Sequence, residues 1–217
     1  MRVTRSVTAL LAAGALAGCV SLKRTAEARF FTLRPVAERP TTPAANNPGG
    51  GVVGLLPVSL PSFLERPQLV AWTGPGEVRI DEFLRWAEPL DASAQRVLAD
   101  DLARLLPSHD VIRAPWPGST ALRCRVRAEL IRFGPQPGGE VSLSGRFVIL
   151  IGGSERAFVS RDVELRRDPG QADPGRTVEA MSVLLADLAG QIANGIETLP
   201  PETAQNVIGA PAPEPRR

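Results

Sequence analysis

The sequence predicts a single-domain α/β sandwich: a mixed, largely antiparallel sheet with two main helices packed on it. Three observations predict it. Two stretches, around 90–106 and 177–199, carry apolar residues at helical spacing. Three consecutive stretches from 122 to 165 alternate apolar and polar residues and are joined by short turns. A nearly continuous apolar run at 52–58 suits a strand covered on both faces. Strand order does not follow from these patterns.

The chain opens with Arg2 and Arg5, then runs uncharged and apolar from Val7 to Gly18. At about 1.5 Å rise per residue this run is too short for a hydrocarbon core of about 30 Å. A basic start, a short apolar stretch and small residues form a secretory signal. Leu16-Ala17-Gly18-Cys19 resembles the bacterial lipobox, in which the Cys thiol is acylated and the signal is cut just before it. Residues 1–18 are therefore expected to be a lipoprotein signal peptide and residues 19–29 a lipidated tether. Two or more acyl chains hold a protein firmly on a membrane, because each buried methylene contributes about 0.8 kcal/mol. Ser21, second after the cut, resembles the residue type of lipoproteins sorted to an outer membrane. The expected location is the periplasmic face of that membrane, with lipid contacted through acylated Cys19.

The precursor has 25 Lys+Arg and 23 Asp+Glu. Arg2 and Arg5 leave with the signal and no acid does, so the mature formal charge falls from +2 to zero. No basic cluster with interleaved aromatics appears, so nucleic acid is not an expected partner. Of the 2 Cys, Cys124 has no partner once Cys19 carries lipid. A lone thiol in an oxidising compartment is expected to be buried.

Along the folded part, expected at residues 30–199, Phe30-Phe31-Thr32-Leu33 reads as a strand ended by Pro35. Residues 37–51 are rich in Pro, Asn, Thr and Gly and read as a loop. After the run at 52–58, Gln68 to Trp72 and Glu77 to Ile80 read as short strands flanking the turn Thr73-Gly74-Pro75-Gly76. The first helix follows Pro89, with Asp91 or Ser93 as cap. Val97, Leu98, Leu102, Leu105 and Leu106 form its apolar stripe, Arg96, Asp100, Asp101 and Arg104 its polar face, and Pro107 stops it. Val111-Ile112 begins the next strand. From Leu122 to Arg132, Leu122, Cys124, Val126, Ala128 and Leu130 point inward, and Arg123, Arg125, Arg127 and Glu129 outward. The outward arginine row suits a solvated face, or anionic lipid. Two more strands at 141–151 and 157–165 complete an antiparallel meander. The last helix takes Thr177 as cap and buries Val178, Met181, Leu185, Leu188, Ile192 and Ile196. Residues 200–217 read as a disordered Pro-rich tail.

Convergent reactive groups are missing from the pattern. The single His, His109, lies in Pro107-Ser108-His109-Asp110, where adjacent residues cannot meet as a triad and a solvated turn is the plain reading. No Cys or His pair has zinc spacing. Gly49-Gly50-Gly51 precedes a strand and lacks a following Lys-Ser/Thr, so it is no phosphate loop. Neither an enzyme nor a cofactor is expected.

Residues 57–68 run Pro-Val-Ser-Leu-Pro-Ser-Phe-Leu-Glu-Arg-Pro-Gln, and residues 85–90 run Arg-Trp-Ala-Glu-Pro-Leu. With the Phe31-Thr32-Leu33 opening, the lipobox and the late helix, these resemble the PqiC family, the ABC-transport auxiliary lipoproteins. Phe30-Phe31 departs from the tyrosines usual there, and the loop at 37–51 and the tail are long. The resemblance implies an outer-membrane lipoprotein accessory to an MCE-type lipid transport system. Such a protein docks the periplasmic MCE component and supports envelope integrity, and a homo-oligomer is compatible with that role. Phe63, Arg66, Arg85, Trp86 and Glu88 are the candidate partner-binding residues, since aromatic and Arg side chains dominate interface energies. Trp86 serves packing equally well, with Glu88 paired to Arg85 or Arg66. A structural envelope lipoprotein and a lipid-binding carrier are the alternatives.

Overall fold

The computed structural model describes residues 26–38, 50–152 and 154–200. The expected signal peptide, Cys19, most of the expected tether and the tail from 201 onward lie outside them. The elements run β1 (Arg29–Phe31), β2 (Val52–Leu55), β3 (Gln68–Gly74), β4 (Glu77–Trp86), α1 (Leu90–Leu105), β5 (Asp110–Arg113), β6 (Leu122–Pro135), β7 (Val141–Ile151), β8 (Ala157–Arg167) and α2 (Pro174–Glu197).

The α/β class stands, with mostly antiparallel strands and two helices packed on them. The strands form two sheets rather than one. The larger has order β5-β2-β6-β7-β8 and the smaller β1-β4-β3. In the larger sheet β2 lies parallel to both β5 and β6. The meander β6-β7-β8 is antiparallel, as its alternation predicts. The smaller sheet separates because β4 is longer than expected, running on from Ile80 to Trp86. Gln68 pairs with Arg85 but Leu69 already pairs with Asp81. The extra residues of β4 make a bulge that bends the hairpin away. Beyond it, β4 pairs in parallel with β1.

Helix α1 has no side-chain cap; Pro89 occupies the cap position, and neither Asp91 nor Ser93 fills it. Asp101 also departs from its expected polar face. It is fully buried, and its Oδ1 accepts the Ala37 N–H at 2.9 Å. Residues 35–37 cross this side of α1, and Arg104 donates to the Pro35 carbonyl at 3.2 Å. Burial pushes the Asp101 carboxyl above its ordinary range.

Helix α2 starts three residues before the expected cap. Asp173 caps it, accepting from the Gly175 N–H at 2.8 Å and the Arg176 N–H at 3.2 Å, and Pro174 opens the first turn. The Thr177 hydroxyl instead donates to the Asp173 carbonyl. The expected stripe is buried throughout: Val178, Met181, Leu185, Leu188, Ile192 and Ile196. Each such side chain contributes about 1.5–3 kcal/mol by leaving water. Cys124 is free and fully buried, and burial pushes its thiol up to about 12.

Candidate partner-docking surface

Paired residues in a sheet project to the same face. Phe30 pairs with Arg85, and Arg85 with Gln68. Farther along the hairpin, Val70 pairs with Ile80 and Trp72 with Val78. These residues share one face of the small sheet. Phe31 and Trp86, paired one position on, take the other face.

That face is covered in its middle, where Val70 is buried and Trp72 and Ile80 pack against the core, and is apolar at its exposed margins. The short 3-10 turn Ser62–Leu64 lies against it. Leu64 is buried and holds the turn down, while Phe63 sets its ring edge-on to Trp72, centroids 5.8 Å apart. Among the described residues, Phe30, Phe63, Val78, Phe83, Ile131 and Phe158 are the exposed large hydrophobics. The first four belong to the small sheet or to the turn against it, which concentrates unpartnered apolar surface here. Arg85 is half-buried beside Phe30. Arg66 is half-buried too, with its Nε shielded from water and without an acceptor.

Trp86 and Glu88, the other two candidates, serve the fold. Trp86 is only 6 % exposed, and its backbone N–H donates to the Pro67 carbonyl at 2.7 Å. Glu88 pairs with neither Arg85 nor Arg66. It accepts from the Arg96 guanidinium, from the Ser93 hydroxyl at 3.0 Å and from the Thr32 hydroxyl at 3.0 Å. The Arg96 hydrogen bond leads in holding its carboxyl below the usual range, against the opposing effect of burial. Glu88 thereby ties Thr32, just after β1, to Ser93 and Arg96 at the start of α1. The other tryptophans cover backbone: Trp116 lies over Gly54, where an added Cβ would stand 2.9 Å from the ring.

The arginine row on β6 does not form a single wet face. Arg127 is exposed, but Arg125 donates to the Gly152 carbonyl at 3.1 Å and pairs with Glu155 at 3.0 Å. Arg123 is only 2 % exposed and donates to the Leu199 carbonyl at 3.2 Å. The cause is a bulge. Val52 pairs with Leu122 and Val53 with Cys124, so Arg123 is the extra residue.

His109 is likewise buried, 6 % exposed, rather than solvated. The backbone of Gly50 crosses so close to this loop that an added Cβ would stand 1.9 Å from the Ser108 carbonyl oxygen. Neither ring nitrogen has a hydrogen-bond partner. Burial, then the Arg123 charge, lowers the pKa of His109, and Glu197 raises it. The folded state therefore binds this proton less readily than the unfolded chain. The stability contribution of neutral His109 is complete above the unfolded pKa of about 6.5 and is lost as pH falls below it. Wild type is expected to lose more urea resistance between pH 7.5 and pH 5 than a His109→Phe variant; equal losses would remove His109 as the cause.

Two shallow clefts accompany the surface. One of about 480 Å³ is lined by Val36, Leu105, Val183 and Gly190. One of about 440 Å³ lies between Leu69, Leu84, Arg79 and the start of α2. Neither gathers a nucleophile with a base. Among the described residues no His, Cys, Asp and Glu cluster could hold a metal ion, and no helix is long and apolar enough to cross a membrane.

The fold has solved counterparts. A crystal structure of an uncharacterized protein matches with a TM-score of 0.65 at 19 % identity, covering 79 % of this chain and 99 % of that one. Protein XCC0632 from Xanthomonas campestris matches with a TM-score of 0.65 at 14 % identity, covering 78 % of this chain and 97 % of that one. At such identities they show a shared fold. No curated protein matches the sequence. The family described as ABC-type transport auxiliary lipoprotein component matches residues 31–193, almost the whole described domain. The chain belongs to that family of lipoprotein transport auxiliaries.

Proposed function

We propose that this protein is an outer-membrane lipoprotein, held at the periplasmic face by acyl chains on Cys19, that docks the periplasmic MCE component of an intermembrane lipid transport system. It acts by contact, without catalysis, and its loss weakens the envelope. Membership of a transport-auxiliary family supports the class of role. The observation that carries the docking reading is the Phe63–Trp72 corner with Val78 and Arg66. An exposed aromatic edge beside a half-buried arginine is the composition of an interface centre. Trp86 and Glu88 contribute from behind by fixing β4 to α1.

A pull-down of the full chain with an MCE protein tests this. A Phe63→Ala, Arg66→Ala double variant is expected to keep its circular dichroism and melting temperature and to bind at least about tenfold more weakly, the scale of one interface hot spot. A folded double variant that binds like wild type would remove this surface. Retention of wild type on cell wall but not on any MCE protein would favour a structural envelope role instead.

A further inference from the structure

The tether enters the fold on an edge strand whose most exposed side chain is aromatic. We infer that the β1 end of the small sheet rests on the lipid bilayer, with Phe30 and Phe83 entering the headgroup region and Arg85 meeting lipid phosphates. This rests on the acylation of Cys19 proposed above, and adds a surface to it.

Four observations carry the inference. First, reach: ten residue steps separate Cys19 from Arg29, at most about 35 Å of extended chain, so β1 stays near the membrane that holds Cys19. Second, orientation: β1 is fixed from its inner side by Phe31, which packs against the hydrophobic core, while the exposed Arg29 guanidinium lies 5.2 Å from the Phe31 ring centroid and 3.9 Å from the Asp173 carboxylate. With Phe31 packed against the core, Phe30 projects to the other side of the strand, and it is 65 % exposed, the most of any large hydrophobic among the described residues. Third, a second ring: Phe83 stands in the β4 bulge two residues before Arg85 and is 40 % exposed, its N–H held by the Asp81 carboxylate at 2.9 Å. Two apolar rings thus flank a guanidinium, the arrangement an interfacial surface uses, with apolar groups below the phosphates and a cation among them. Fourth, charge: residues 20–28 hold Lys23 and Arg24 against Glu27 alone, a balance that favours anionic lipid.

The same face thereby divides by function along β4. The Phe30 and Phe83 end, where the tether enters, faces lipid. The Val78, Trp72 and Phe63 end, next to the hairpin turn, is left for the protein partner.

Site-directed spin labelling of the full acylated protein in phosphatidylethanolamine–phosphatidylglycerol vesicles tests it. Single variants Phe30→Cys, Phe83→Cys and Phe158→Cys carry the nitroxide; Phe158 on β8 is 41 % exposed and serves as reference. Cys124 stays unlabelled because it is fully buried. The ratio of oxygen to nickel-chelate accessibility is expected to be at least about fivefold higher at 30 and 83 than at 158. Equal ratios at the three sites would overturn the inference. Immobile labels at 30 and 83 without oxygen preference would also overturn it, in favour of a second copy or a protein partner covering these rings. The mass of the N-terminal peptide from the same sample separates the two readings. Lipid on Cys19 with unimmersed labels sinks the surface alone, whereas no lipid on Cys19 sinks the anchor and the surface together.

Discussion

A Gly145→Val chain is expected to remain unfolded. Gly145 lies on β7 opposite Leu130, where β6 bulges before pairing resumes at Arg132 with Ser144. A Cβ added there would stand 2.1 Å from the Glu129 carbonyl oxygen and 2.9 Å from the Leu130 Cα. Both are backbone atoms of the strand that β7 pairs with, so no side chain can swing aside. Relief requires prying β6 from β7, and these strands carry Phe133, Val141, Leu143, Phe147 and Ile149, all buried. The cost is expected to exceed about 4–5 kcal/mol, a large share of the roughly 5–15 kcal/mol that holds such a domain together. The contrast is Gly76 in the β3–β4 turn. Its φ of 75° favours glycine, but nothing lies within 4 Å of an added Cβ. Gly76→Ala is expected to cost only about 1 kcal/mol of backbone strain. Circular dichroism and thermal melts of the two variants check the pair. A Gly145→Val protein with native spectra would mean that the β6–β7 register is wrong.

Cys19→Ala is expected to leave the protein unprocessed at this site and to remove it from the outer-membrane fraction. With two or three acyl chains, each methylene contributing about 0.8 kcal/mol, the anchor dominates membrane attachment, and its removal changes partitioning by many powers of ten. Among the described residues no helix can substitute by spanning the bilayer. A contact made by Phe30 and Phe83 alone is too small to retain the protein through washing. Fractionation of wild type and variant, with the mass of the mature N-terminal peptide, provides the check. A variant that still fractionates with the outer membrane after washing, or a wild-type N-terminal peptide without lipid, would end the case for the anchor.

Much of the fold was legible because its strongest elements are locally patterned. The alternation from Leu122 to Leu130 marks β6, and the stripe from Val178 to Ile196 marks α2, without knowledge of anything else. What sequence could not supply was long-range approach. Asp101 and Arg104 look like a solvated helix face until residues 35–37 cross it. His109 looks like a loop residue until Gly50 and Gly51 pass over it. Arg123 follows the alternation in sequence and escapes it in space, because a bulge depends on the strand next door. The α2 cap is different: Asp173-Pro174 is itself a helix-start signal, and it outranks Thr177. For the candidate surface, the residue types at 63, 66 and 85 were readable. Which of them stay at the surface was not, since Trp86 and Arg85 differ only in which side of β4 they take. Phe30 reads in sequence as part of a strand, and its exposure depends on which side of β1 packs against the core.

The strand register also sets the order in which the domain can close. Phe30 finds Arg85, and Val53 finds Val111 and Cys124, all far downstream. For a chain delivered N-terminus first through a narrow pore, the earliest pairing on offer is the β3–β4 hairpin, and β1 and β2 wait for segments still behind them. Such distant partners make closure slow and late. A chain halted before Cys124 has emerged therefore carries an incomplete larger sheet, in which β2 has β5 beside it and still lacks β6.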